Sequence, residues 1–231
     1  MCRFRQWTMV WLVVAVLPLA VGCGGEGETE APTASLSEKN DPEAAGQAPA
    51  ERAAPPPPRS DNALPVVRID TSLGPVTVQL DRERTPQTVD NFLAYVERGF
   101  YDATVFHQVF DGYAVLAGSF NADLEPKDTR APIFNEAHLG LSNRRGTIAM
   151  ARDISSIDSA TSTFFFNVRD NPELDHEDRS SPETYGYCAF GEVVEGMDVI
   201  DRIAGVAVHD TEQMDQTPIE TVLIESVRRI R

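Results

Sequence analysis

TVFHQVFDGYAVLAGSF, residues 104–120, crowds aromatic, imidazole and amide side chains into one short span, and the rest of the chain reads as its support. Val105, His107 and Val109 alternate with Phe106, Gln108 and Phe110, the period of two expected of a strand with two distinct faces. Asp111-Gly112 breaks the run and residues 113–118 resume as a second short strand, so the span predicts a hairpin feeding a β core. On spacing alone, His107 reads as a satisfied core or rim histidine.

The neighbouring segments carry the same grammar. Residues 66–70 and 76–80 flank a turn at Ser72-Leu73-Gly74, and Val76, Val78 and Leu80 alternate with Thr77 and Gln79, which predicts an antiparallel hairpin with one buried face. Thr85 is placed to cap a helix that has Pro86 at its first position, an apolar stripe at Val89, Phe92, Leu93 and Val96, and Gly99 as its stop. Short β-like runs follow at 147–151, 164–168 and 190–194, then a second short helix at 197–203 and a last alternating strand at 221–230. Many short strands with two separated helices suit a closed β barrel capped at both ends.

The motifs are more specific than the periodicity. FHQVFDGYAVLAGSF (106–120) resembles the signature strand pair of the cyclophilins, the peptidyl-prolyl isomerases with an FHR-x-x-x-GF-x-x-QGG-x-F pattern. Asn135-Glu136-Ala137, then RGTIAMAR at 145–152, resembles the next family run; SATSTFF at 159–165, Leu174-Asp175-His176 and YCAFG at 187–191 resemble the segments after it. The matches keep family order from Leu64 to Arg231, and imply a mostly β fold: a closed eight-stranded antiparallel barrel capped by two helices. They also imply proline-containing, unfolded or extended protein segments as partners, and a reaction that needs neither cofactor nor metal.

Residue by residue, the resemblance assigns Tyr113, Phe164 and Leu174 to a proline pocket, with His107, Ala151, Arg152 and Tyr187 along the groove. The departures cluster at the polar edge. Gln108 stands at the catalytic arginine position, Leu116 at that of the QGG glutamine, Ala114 at the pocket methionine, Thr163 at the glutamine before FF, and Glu173 at an aromatic position. An amide can donate a hydrogen bond but lacks arginine's fixed charge and five-donor fork. The residues therefore predict either an isomerase of reduced turnover, assisting the folding of exported proteins, or a non-catalytic module that binds proline-containing segments of envelope proteins.

Composition sets the outer bounds. With 36 Asp and Glu against 20 Lys and Arg the chain is strongly acidic, which argues against nucleic acid as a partner. Arg3 and Arg5, an apolar run over 9–21 and the small residues before Cys23 describe a signal peptide, 1–23, whose end resembles a bacterial lipobox. On that reading Cys23 is lipidated, and the protein is anchored to a membrane of the bacterial cell envelope with its domain facing the periplasm or the outside. Residues 24–63, with seven prolines and nine alanines, predict a disordered tether, and 64–231 the folded domain, expected to be a monomer. Cys188 lies alone in an apolar run, a buried small hydrophobe rather than a reactive thiol. No nucleotide-binding glycine loop, nucleophile elbow or paired metal-ligand histidines compete with this reading.

Overall fold

The computed structural model describes residues 63–231; the signal peptide, Cys23 and the tether expected from the sequence lie outside the described residues. Ten strands are present: β1 (Val66–Thr71), β2 (Gly74–Leu80), β3 (Thr104–Phe110), β4 (Ala114–Asn121), β5 (Thr147–Met150), β6 (Phe164–Asn167), β7 (Ala189–Glu195), β8 (Val208–His209), β9 (Thr217–Pro218) and β10 (Val222–Arg229). Eight of them close a barrel in the order β1-β10-β3-β4-β6-β5-β7-β2, every pairing antiparallel, while β8 and β9 form a separate two-stranded ribbon. Closure leaves the barrel no free edge to recruit another strand.

Period-two alternation sorts the side chains to two sides of this wall. Val115 and Ala117, Ile148 and Met150, Phe164 and Phe166, and Phe190 point into the barrel core. Their neighbours Ala114 and Leu116, Ala149, Phe165 and Ala189 form a second apolar cluster on the outside. That outer cluster is the foundation of the site.

Helices α1 (Pro86–Glu97) and α3 (Met197–Ala204) sink their apolar stripes into the barrel core, through Val89, Phe92 and Val96 in the first and Val199, Ile200 and Ile203 in the second. Phe92 packs on Tyr101, Phe164 and Phe190 at centroid distances of 5.1, 5.5 and 5.3 Å, a spacing at which tilted and edge-on rings attract. A third helix, α2 (Pro182–Tyr185), adds to the two expected; at four residues it is too short to show a helical period, and a capping box between Ser181 and Thr184 starts it.

The start of α1 differs from expectation. Thr85 holds the N-cap position, but its hydroxyl donates back to the Asp81 carbonyl at 2.9 Å and caps nothing. The cap comes from 48 residues downstream: the buried Glu136 carboxylate accepts the Thr88 N–H and hydroxyl, both at 2.8 Å, and the Gln87 N–H at 3.2 Å. A negative charge on the orphan N–H groups of a helix start also meets the positive end of its dipole.

Candidate active site

The outer cluster becomes a groove where loops rise over it. Gln108, Tyr113, Ala114, Leu116, Ala151, Arg152, Phe165, Leu174 and Tyr187 line a shallow apolar pit of about 20 Å³. β3 and β4 supply Gln108, Ala114 and Leu116, β6 supplies Phe165, and Tyr113, Leu174 and Tyr187 come from loops.

A buried amide network fixes those three loop residues. Asn143 Nδ2 donates to the Leu174 and Tyr187 carbonyls, both at 3.1 Å, and Asn171 Nδ2 donates to the Tyr113 carbonyl at 3.2 Å. Asn167 joins the two, donating to Asn143 Oδ1 at 3.1 Å and accepting from Asn171 at 2.7 Å. All three asparagines are buried, and their satisfied amides give the groove walls a rigid seat.

The polar edge is differently disposed. Gln108 pairs in register with Leu116 across β3 and β4, so the two departures from the family pattern are neighbours. The Gln108 amide donates to the Asp215 backbone carbonyl at 3.2 Å, which ties it to the loop between β8 and β9. Thr163 is bound, hydroxyl to hydroxyl, to Ser119. Arg152 is buried, with Nε on the Gly186 carbonyl at 3.1 Å, Nη1 on Asp153 at 3.0 Å and on Ile154 at 3.4 Å, and Nη2 on Pro182. Its guanidinium lies 4.6 Å from the Tyr187 ring centroid and burial draws its pKa down from the ordinary value. Its cation serves the loops that frame the groove. Tyr113 carries Arg169 over its ring at 5.0 Å; burial, with the Glu173 carboxylate second, pushes its phenol up to about 12.

Three of the assigned residues sit elsewhere: Phe164, His107 and Thr163. Phe164 points into the barrel, fully buried, with centroids 5.3 Å from Tyr101 and 5.8 Å from Phe166, and it is Phe165 that lines the pit. Three consecutive phenylalanines show no polar alternation, so the sequence does not say which faces out. The register does, because Phe165 opposes Leu116 and Ala149, both on the outer face. Gly118 holds Phe164 in place: it has φ of +95°, and a Cβ there would lie 2.8 Å from the Phe164 ring.

His107 likewise leaves the groove. It is buried against Phe120 at a centroid distance of 4.7 Å, its Nδ1 has no partner, and burial lowers its pKa to about 4. It is a neutral ring at pH 7, buried and not among the residues that line the pit. Thr163 is not among the residues that line the pit.

A larger hollow of about 490 Å³ lies between Phe134, Leu139, Ile157 and Tyr185, with Asn135, His138, Asp158 and Arg179 also on its lining; its buried Glu136 is engaged in capping α1. Among the described residues no group of three or more His, Cys, Asp or Glu could hold a metal ion.

This geometry has known counterparts. Residues 66–229 match the model for cyclophilin type peptidyl-prolyl cis-trans isomerases. The chain belongs to the cyclophilin family. Peptidyl-prolyl cis-trans isomerase B of Escherichia coli is 44% identical over 162 residues, which cover 70% of this chain and 98% of that one. A Streptomyces antibioticus isomerase is 42% identical over 165 residues, covering 71% and 98%. Peptidyl-prolyl cis-trans isomerase A of Dickeya dadantii is 44% identical over 165 residues, covering 71% and 84%. Two crystal structures of a Cryptosporidium parvum cyclophilin share the fold, at TM-scores of 0.59 and 0.61 with 21% and 22% identity, covering 73% and 72% of this chain and 98% and 99% of theirs. The second was obtained in the presence of the dipeptide Ala-Pro. This cyclophilin is thus an enzyme of the isomerase family.

Proposed function

We propose that this cyclophilin grips proline-containing segments of exported proteins in its apolar pit and isomerises them with reduced turnover, anchored to the bacterial cell envelope through a lipidated Cys23. Rotation about a peptide bond faces a barrier of roughly 18–20 kcal/mol because C–N conjugation must be broken. A catalyst lowers it by favouring the twisted amide over the planar one. Tyr113, Phe165 and Leu174 offer a proline ring an apolar seat while the amide on its N-terminal side lies toward Gln108 and Leu116.

The observation that carries the proposal is the tie between Gln108 and the Asp215 carbonyl beside apolar Leu116. With one of its two N–H groups engaged within the protein, and without charge, the Gln108 amide offers less than arginine's charged fork to an amide nitrogen that gains a lone pair as it twists. Loss of one preorganised donor at a transition state typically costs on the order of a hundred- to a thousandfold in rate. Uncatalysed prolyl steps take tens to hundreds of seconds, so even a modest catalyst shortens folding outside the cytoplasm. The acidic surface keeps the domain soluble beside an anionic membrane.

The same observation supports a second reading, a binding module without turnover. One assay separates the two: isomerisation of an Ala-Pro peptide by the purified protein, beside a Gln108→Arg, Leu116→Gln variant and beside titrations of peptide binding. Turnover above the uncatalysed rate that rises in the variant supports the isomerase. Peptide binding with no turnover in the parent, and turnover gained in the variant, identifies the binding module. No binding in either protein, with both folded, removes both readings.

A further inference from the structure

We propose that Arg169 and Glu173 are positioning residues of the groove: together they clamp Tyr113 from outside and set how closely the pit fits a proline ring. The inference rests on the groove reading above. It is the geometry around Tyr113 that assigns the roles. The Arg169 guanidinium lies 5.0 Å from the ring centroid, on the ring face. Its Nη2 donates to Glu173 Oε1 at 3.0 Å and its Nε to Asn171 Oδ1 at 2.8 Å, so the planar fork is pinned at two points. Asn171 in turn holds the Tyr113 backbone, its Nδ2 donating to the Tyr113 carbonyl at 3.2 Å.

Ring face and backbone of Tyr113 are therefore both held by residues 169–173 of one loop. That loop continues directly into Leu174, within the 3-10 turn Pro172–Leu174, and Leu174 is another wall of the pit. Two walls tied through one short loop keep a fixed separation. Glu173 acts on Tyr113 through Arg169, whose fork it holds over the ring.

Arg169 and Glu173 side chains are 55% and 47% exposed, and an ion pair in that setting adds little to global stability. Their effect belongs to the groove, which makes the test clean. Arg169→Ala, Glu173→Ala and the double variant are titrated with an Ala-Pro peptide and its Ala-Ala counterpart, and their thermal midpoints are recorded. Each single change is expected to weaken Ala-Pro binding roughly three- to tenfold, the coupling range within one hydrogen-bonded network, and the double change no further. Preference for proline over alanine falls while the midpoints stay where they were. Arg169→Lys does not restore the parent affinity, because a single ammonium cannot reach both Asn171 and Glu173.

The Tyr113 ring signals, followed by NMR in tyrosine-labelled protein, are expected to shift in Arg169→Ala and in Glu173→Ala alike, as the cation leaves the ring face. Strict additivity of the two single changes, or unaltered proline preference, overturns the clamp. A parent protein that binds no proline peptide removes the groove reading and the pit-fitting role with it. An unresponsive Tyr113 signal beside intact binding removes the clamp alone.

Discussion

His107 gives the most quantitative test of the packing argument. Its ring is buried against Phe120, Nδ1 has no partner, and its pKa is lowered to about 4 by burial. In the unfolded chain the same group titrates near 6.5. The folded value lies below the unfolded one, so protonation favours unfolding. The stability due to a neutral His107 is complete above about pH 6.5 and is lost as the pH falls toward 4. Each unit is worth about 1.4 kcal/mol, so the interval removes roughly 3 kcal/mol, a substantial part of the stability typical of a domain this size.

Urea unfolding at a series of pH values between 7 and 4, for the parent and for His107→Gln, isolates the effect, because every other titrating group is common to both proteins. The variant is expected to start less stable at pH 7, since an amide is no better satisfied there, and to lose roughly 3 kcal/mol less over the interval. Parallel curves for the two proteins would refute the reasoning: they would mean that His107 takes up its proton in the folded state as readily as in water.

Other perturbations read other parts of the structure. Glu136→Ala strips the buried donors of α1 and is expected to cost about 2–3 kcal/mol in chemical denaturation, far more than Thr85→Val, whose hydroxyl caps nothing. Phe164→Ala empties part of the barrel core and is expected to cost about 3–5 kcal/mol, whereas Phe165→Ala costs less stability and abolishes Ala-Pro binding, as paired melts and titrations would show. Asn143→Ala leaves the Leu174 and Tyr187 carbonyls short of a donor and is expected to lower stability by about 2 kcal/mol and peptide affinity with it. Cys188, its thiol pushed up to about 12 by burial, is expected to resist alkylation at pH 8 until urea unfolds the protein.

The barrel is readable in the sequence because its signals are local. Alternation at 76–80, the Val89–Phe92–Leu93–Val96 stripe and the motifs of 145–152 and 187–191 each need only a few neighbouring residues to be recognised, and the strands they predict are present within one or two residues. What was hidden depends on partners far along the chain. The cap of α1 reaches over 48 residues from Glu136, and Gln108 meets a carbonyl 107 residues away. No spacing rule reports such a contact. Phe165 was hidden for another reason: within three identical side chains, only pairing to Leu116 and Ala149 says which one faces out. The four-residue α2 carries no period to detect.

The departures themselves gain meaning from the register. Gln108 and Leu116 are eight residues apart in sequence but directly opposed on paired strands, so they alter one spot on the groove rather than two. Around that spot Tyr113, Phe165, Leu174 and Tyr187 keep an apolar pit whose loops are locked by Asn143, Asn167 and Asn171. Gripping a proline ring needs the pit; lowering the barrier to rotation needs charge or free donors at the edge. On the proposed reading these two requirements fall on separable residues. Restoring the edge should therefore change turnover with little change in affinity, and loosening the Tyr113 clamp should change affinity first.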